Sequence, residues 1–229
     1  MFEFARTAGW GTGDWVVDTG SYGFTHAQRL ESAFGCRVLA VDLVDGGLRS
    51  ARSDGPREGA VFGVQGDAQL LPVGSGSVAG VWSRDMVSCV DPERFLAECA
   101  RVLKPGGAVV LYAACLTRLL AGAERERFLA ALSLTGGAER AILEGAIAKA
   151  GLHVDGIAEV GAGWPEADLV SGGSRLTEDL LAIVRMQRAE EALVARFGRT
   201  WFETILAWRQ WAPFMALGKL KVVVYLLRK

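Results

Sequence analysis

The chain has 229 residues, 51% of them hydrophobic and 22% charged, with a formal net charge of −1. That length suits one domain around one core, and the composition excludes a disordered chain. A near-neutral balance without any run of Lys or Arg argues against nucleic acid or an anionic membrane as the main partner, and no stretch approaches the ~18 apolar residues of a membrane span.

The opening MFEFARTAG has neither the basic start nor the apolar stretch of a secretory signal, so a cytoplasmic protein is expected. Only fourteen residues precede the first predicted strand. They are too few for a helical cap over a site, so a lid comes from elsewhere in the chain or from a second subunit, which leaves room for a homodimer. Trp15, Val16 and Val17 form a short, β-branched apolar run that reads as a buried parallel strand. Asp18 to Phe24 collects glycines and a serine, which is turn chemistry. Thr25 and Gln28 have capping-box spacing ahead of an apolar helix face that stops at Gly35. Arg37 to Val41 reads as a second strand with Asp42 at its carboxyl end.

This βαβ unit places an acid beside the crevice where open α/β sheets bind ligands, well set to hold the vicinal hydroxyls of a ribose. A dinucleotide turn would read G-x-G-x-x-G, but Gly20 is followed by Tyr22 and Thr25 in the other glycine places. No G-x-x-x-x-G-K-[ST] phosphate loop occurs either. A ligand with ribose and no phosphate fits better, and S-adenosylmethionine is the common one.

Further along, a short helix around Leu48 to Arg52 leads to a third strand at Ala60 to Val64 and a loop opening with Asp67. Val78 to Ser83 reads as the fourth strand. Asp91 and Pro92 give an N-cap and a first-turn proline for a helix through Leu103, which LKPGG stops before a fifth strand at Ala108 to Ala113. Five alternations argue a doubly wound, mostly parallel α/β sheet. Helices follow at Ala123 to Leu132 and Ala138 to Ala150, then a strand at His153 to Val160, helices at Leu180 to Phe197 and Trp201 to Leu217, and a last strand at Leu220 to Leu227. With no repeat or linker, 1–229 reads as a single domain, the core about 15–160 and 219–229 and a helical lid about 165–218. Cys36, Cys89, Cys99 and Cys115 are scattered without a C-x-x-C pair and read as reduced interior thiols. His26 and His153 are the only histidines, so no metal site is assigned; His26, in the first turns of its helix, reads as a helix-surface residue, with a place facing the ligand as the alternative.

VVDTGS, LAVD, GDAQLLPV and VWSRDMVSCVDPERFLAECARVLKPGGAVVLYA, spanning Val16 to Ala113, resemble class I S-adenosylmethionine-dependent methyltransferases, in particular the small-molecule group with a GDAxxLP loop and an LKPGG turn. The resemblance weakens from Thr117 onward and returns at GKLKVVVYLLRK. It implies a Rossmann-like sheet of seven strands whose last runs antiparallel between the fifth and sixth. It also implies S-adenosylmethionine as cofactor and S-adenosylhomocysteine as product. Residue by residue, Asp18, Gly20 and Ser21 would lie under the methionine part, Asp42 would take the ribose hydroxyls, and Leu43 would lie against the adenine. Asp67 and the Ala68 N–H would meet the adenine edge, and Ser83 or Arg84 would offer a carbonyl to the ammonium.

Two departures stand out. The family turn runs G-x-G-x-G, and here Tyr22 and Phe24 hold two of those glycine places, so Tyr22 would border the cofactor or turn toward the substrate. Cys89 stands where relatives carry a histidine, and Ser88 where an acid is common, which leaves Asp85 as the candidate proton acceptor. Methyl transfer relies on alignment and desolvation, and a missing histidine favours an amine, an activated carbon or an ionised oxygen as nucleophile. Trp201, Ile205 and Trp208 recur on one helix face, which suits a flat or apolar small molecule; Met86, Tyr22, Trp10 and Trp164 are further candidate walls. Against a small-molecule methyltransferase stand a repurposed fold acting as a cyclase or ligand-binding module and, disfavoured, a nicotinamide oxidoreductase.

Overall fold

Neighbouring valines set the architecture, because alternate residues of a strand face opposite ways and here both faces are apolar. In the computed structural model, which describes residues 1–53, 60–160 and 175–229 together with 163, 167 and 170, and only the backbone of 50–53, Val16 and Val17 are both fully buried but belong to separate cores. One core joins Val16, Val38, Trp82 and Val222 to Leu30, Phe128 and Phe214. The other joins Val17, Val41, Val81 and Val223 to Phe95, Leu96, Leu143 and Ile147. Each large apolar side chain so buried contributes about 1.5–3 kcal/mol, which is why the sheet demands helices on both sides.

The elements run α1 (Phe2–Ala8), β1 (Trp15–Thr19), α2 (Thr25–Phe34), β2 (Arg37–Asp42), α3 (Asp45–Ser53), β3 (Val61–Gln65), β4 (Val78–Arg84), α4 (Pro92–Val102) and β5 (Leu103–Leu116). They continue with α5 (Gly122–Leu132), α6 (Arg140–Lys149), β6 (His153–Val160), α7 (Arg175–Arg188), α8 (Glu190–Phe197), α9 (Arg199–Ala216) and β7 (Leu220–Arg228). The seven strands order as β3-β2-β1-β4-β5-β7-β6, with β7 antiparallel to both neighbours. This is the Rossmann-like class I methyltransferase arrangement that the resemblance implied. In register, Asp18 lies between Ala40 and Trp82, and Thr19 is level with Ser83.

One element was not foreseen and three local expectations are corrected. A helix, α1, precedes β1; it ends at Gly9 in the left-handed conformation, and the Arg228 guanidinium donates to the carbonyls of Thr7 and Ala8. No periodic signal survives in seven residues, so a tertiary anchor makes this helix. The Thr25/Gln28 capping box does not form: Thr25 is already helical and Phe24 is the cap residue, with no side-chain bond. LKPGG does not separate helix from strand, since β5 starts at Leu103. Pro105 and Gly106, the latter at φ 75°, fall in a bulge where the pairing with β4 jumps from Val78 and Leu103 to Gly80 and Ala108, a place that needs no ladder donor from proline. The helix expected over Leu180 to Phe197 is two, α7 and α8, broken at Ala189, where neither Gly nor Pro signals a break.

Gly80 shows how tightly the segment before β1 is seated. A Cβ there would lie 2.2 Å from the Trp10 indole, which is itself buried. Gly80→Ala is expected to lower unfolding free energy by about 1–3 kcal/mol through overpacking, read as a lower urea midpoint. An unchanged midpoint would show that Trp10 does not rest on β4.

Candidate functional site

β1 and β4 are adjacent and parallel, so their carboxyl ends open a crevice between the chains that leave them. A cavity of about 570 Å³ lies there, lined by Asp18, Gly20, Ser21, Tyr22, His26, Arg84 and Asp85 among others. That size falls within the ~300–1,000 Å³ range of small-molecule sites.

Asp18 is 2% exposed and its Oδ2 has no hydrogen-bond partner. Burial first, and the Asp42 charge second, push its carboxyl up to about 8. At neutral pH it is therefore a protonated acid awaiting a partner. Gly20 follows at φ 68°, donates its N–H to the Val41 carbonyl at 2.9 Å, and leaves space that a Cβ would take from Met86, 2.6 Å from its Cγ. Only glycine meets both demands. The Ser21 and Ser83 hydroxyls are also buried without partners.

The turn that carries aromatic residues in the glycine places keeps its shape through Asp42. Tyr22 sits at φ 52°, a left-handed conformation costly for a bulky residue, and its N–H donates to Asp42 Oδ2 at 2.7 Å. The Val44 N–H donates to Oδ1 at 2.9 Å. Gly47 packs so closely beneath that a Cβ would fall 1.6 Å from the Tyr22 carbonyl oxygen. The Tyr22 side chain is 78% exposed, while the Phe24 ring leaves the crevice for β3, where it covers Gly63. Both residues line the cavity.

Two sequence-predicted groups flank Asp42 outside that cavity. Leu43 is 68% exposed, and the Gly66 N–H donates to the Asp42 carbonyl, which draws the following Asp67 alongside. Asp67 is exposed, with Oδ1 accepting from the Gln69 N–H at 2.8 Å, and Ala68 is buried behind it. Leu43 and Asp67 thus form a shelf on either side of Asp42.

On another part of the lining His26, Arg84 and Asp85 converge, with the contact between His26 and Arg84 not foreseen from sequence. His26 is half-buried, not a free surface residue: it lines the cavity, its Nε2 lies 2.9 Å from Arg84 Nη1, and its ring rests 6.1 Å from that of Trp82. Burial, then Arg84 and Arg29, hold its pKa below the ordinary value, so it is neutral. Asp85 stands at φ 58°, with Nε of Arg84 3.5 Å from Oδ2 and with Oδ1 buried and unpartnered. Burial raises its carboxyl to about 6 against the opposing pull of Arg84 and Arg175. The Arg84 guanidinium lies over the Tyr112 ring at 5.6 Å. A histidine in the first turn of the helix after β1 was the available signal for His26, because that turn faces the crevice; its partner 58 residues away was not.

Several expected walls lie elsewhere. Trp201 lies tilted against Phe197 with ring centroids 4.5 Å apart, and Trp208 stacks on Trp211 of the same helix at 5.7 Å; both remain exposed and neither is among the residues lining the cavity. Trp10 covers Gly80 and is not a wall, and Trp164 lies outside the described residues. Met86 does touch the site through Gly20. Cys36, Cys99 and Cys115 are buried free thiols, whereas Cys89 is exposed in the turn after β4, a correction to the interior reading. Among the described residues no cluster of three His, Cys, Asp or Glu side chains suits a metal ion, and no helix is long and apolar enough to cross a membrane.

Residues 17–111 match a methyltransferase domain profile. A malonyl-[acyl-carrier protein] O-methyltransferase of Methylococcus capsulatus is 40% identical over 70 residues, 30% of this chain and 26% of that protein. A biotin biosynthesis bifunctional protein of Cellvibrio japonicus is 38% identical over 94 residues, 40% of this chain and 18% of that protein. The match therefore spans about a quarter or less of these curated relatives. Among solved structures, geranyl diphosphate C-methyltransferase from Streptomyces coelicolor A3(2), in complex with Mg²⁺, geranyl diphosphate and S-adenosyl-L-homocysteine, superposes with a TM-score of 0.68 at 18% identity, covering 99% of this chain and 77% of that one. Phosphoethanolamine N-methyltransferase 2 of Haemonchus contortus, in complex with S-adenosyl-L-methionine, gives 0.71 at 19%, covering 100% and 51%. A cyclopropane synthase from Mycobacterium tuberculosis gives 0.69 at 15%, covering 100% and 83%. At these identities the superpositions establish the fold.

The Asp18 shift carries a sign. Its folded pKa of about 8 lies above the unfolded value near 4, so its contribution to stability is whole below about pH 4 and is lost as pH rises through about 8. Wild-type stability is expected to decline between pH 5 and 8. Asp18→Asn should flatten that decline by on the order of 1 kcal/mol per pH unit in urea titrations; an identical slope would remove Asp18 as the titrating group.

Proposed function

We propose that this chain, whose fold is that of the class I methyltransferases, is an S-adenosylmethionine-dependent methyltransferase acting on a small metabolite, releasing S-adenosylhomocysteine. The observation that carries the reading is the set of buried polar atoms without partners. Of eight such atoms among the described residues, those of Asp18, Ser21, His26 and Asp85 all belong to the lining of one cavity. Buried polar groups are normally satisfied, so this concentration fits a polar ligand that completes them, and Asp42 adds a carboxylate at the ribose position.

S-adenosylmethionine, when bound, supplies a methyl group on a sulfonium that is open to in-line displacement. The chain's residues then have distinct tasks. Asp42 accepts from the ribose hydroxyls, with Tyr22 and Val44 N–H groups already orienting its carboxylate. Leu43 supports the adenine, and Asp67 with the Ala68 N–H reads its edge. Asp18, Gly20 and Ser21 lie beneath the methionine end, and the carbonyl of Ser83 or Arg84 accepts from its ammonium. Asp85, a lining residue whose carboxyl is raised to about 6 and whose Oδ1 has no partner, accepts a proton from an acceptor that must lose one. Met86 and Tyr22 supply apolar contact for an acceptor with an apolar or aromatic part; Trp201 and Trp208 are not among the residues lining the cavity. The helices α7 to α9 before β7 form the lid of a single cytoplasmic domain, which a second subunit completes if the protein is a homodimer; of the lid expected over about 165–218, residues 165, 166, 168, 169 and 171–174 lie outside the described residues.

A second reading, the same fold binding a ligand without methyl transfer, as a cyclase or binding module, has one observation in its favour: the Tyr22 N–H already occupies the Asp42 carboxylate. Calorimetric titration with S-adenosylmethionine, S-adenosylhomocysteine and NADH separates the candidates. The first two should bind and NADH should not, and a labelled methyl donor should yield a heavier product. Binding without product moves the weight to the second reading. Asp42→Ala should weaken cofactor binding at least ~10-fold, the loss of charge-assisted bonds of about 1.5–3 kcal/mol, and Asp85→Ala less than ~3-fold. Equal losses would overturn the assignment of Asp42 to the ribose.

A further inference from the structure

The loop from Gly66 to Ser77 joins β3 to β4 with neither helix nor strand of its own, so its backbone groups need partners from outside. Two side chains of α4 supply them. Glu98 is 7% exposed, and its Oε1 accepts from the Leu71 N–H at 2.6 Å. One turn on, Arg101 grips Glu98 through Nε at 2.7 Å and Nη2 at 2.6 Å, and the same Nη2 reaches the carbonyls of Leu71 at 3.2 Å and Val73 at 3.0 Å. Its Nη1 donates to Ser75 Oγ at 3.1 Å. The loop then runs onto the end of α4, where the carbonyls of Arg101 and Val102 accept from the Gly76 and Ser77 N–H groups. Hydrogen bonding from Arg101 holds the Glu98 carboxyl below its ordinary range, so at neutral pH it stays an ionised acceptor.

What this pair fixes is one end of the turn that presents Asp67 and Ala68. The Leu70 N–H donates to the Asp67 carbonyl at 3.0 Å, and Leu71, the next residue, is the one that Glu98 and Arg101 hold. The other end is tied to β2, where the Gly66 N–H donates to the Asp42 carbonyl at 2.9 Å. Between them the Gln69 N–H donates to Asp67 Oδ1 at 2.8 Å, and Gln69 Oε1 accepts from the N–H of Asp91, the cap of α4, at 3.2 Å. An exposed carboxylate is thus placed by β2 and, at two points, by α4. We propose that Glu98 and Arg101 are positioning residues for cofactor recognition: through Leu71 they hold the Asp67–Ala68 edge at the depth and angle at which it meets the adenine. This rests on the methyltransferase reading above and on its placing of the adenine. Neither side chain is among the residues lining the cavity, so both act through the loop.

S-adenosylhomocysteine and S-inosylhomocysteine differ only at the N1–C6 edge of the purine, where adenine donates from an amino group and hypoxanthine presents a carbonyl. Wild type should prefer the first by at least ~10-fold in calorimetry. Arg101→Met and Glu98→Leu should each cut that preference at least ~3-fold by weakening S-adenosylhomocysteine, while S-inosylhomocysteine changes less than ~2-fold. Glu98→Gln, whose amide oxygen still accepts from Leu71, should keep most of the preference. A pair that served stability alone would lower the urea midpoint and both affinities together and leave the preference where it was. In an Asp67→Ala background Arg101→Met should cost S-adenosylhomocysteine less than ~2-fold, because no carboxylate is left to place. The Arg101 side chain is 35% exposed, so its truncation carries the test if Glu98→Leu does not fold. A preference unchanged in Arg101→Met, or an equal loss with and without the Asp67 carboxylate, overturns the positioning role while the adenine assignment stands. A wild type without preference overturns that assignment, and one that binds neither nucleoside overturns the methyltransferase reading; the positioning role falls with either.

Discussion

The crevice beyond β1 depends on strand order. β2 lies on one side of β1 and β4 on the other, so the chains leaving β1 and β4 part to opposite faces and cannot close over the strand ends. Asp18, Asp42, Ser83 and Arg84 come from three strands far apart in sequence, yet they meet because parallel register aligns Asp18 with Trp82 and Thr19 with Ser83. Both apolar cores hold that register: a one-residue slip would turn Val16 and Val17, with every residue after them, to the wrong face.

Within the crevice, free energy is spent on polar groups held ready. Asp18 and Asp85 both have raised carboxyl pKa values caused mainly by burial, and both leave an oxygen unpartnered. Tyr22 and Asp85 both hold left-handed backbone conformations that ordinary residues avoid, and both lie on the cavity wall. Strain, burial and orphaned polar atoms coincide at one place, whereas ion pairs elsewhere, such as Arg140 with Glu144 and Glu159 beside Tyr225, are mutually satisfied.

The replaced glycines show where sequence reasoning stopped. Tyr22 and Phe24 in a glycine-rich turn imply either a blocked pocket or a re-routed loop, and sequence alone does not choose. The structure takes the second course by two different devices. Asp42 and Gly47 hold the Tyr22 backbone while its ring goes to solvent, and Gly63 on β3 gives the Phe24 ring a seat. Neither Gly47 nor Gly63 is adjacent in sequence to the ring it accommodates, so only folding reveals the compensation. The His26 contact was passed over for the same reason, since its partner Arg84 follows a different strand.

Sequence by itself determined the alternation of strands and helices, the acids at the ends of β1 and β2 and the helix stop at Gly35. These follow from local periodicity, turn chemistry and motif spacing, which act over a few residues. Tertiary structure alone decided which way the aromatic rings turn, that Trp201 and Trp208 stand outside the cavity lining, that α1 exists, and that His26 and Arg84 share a wall. Each of those depends on contacts between segments tens of residues apart, where packing and burial override any preference that the local chain can express.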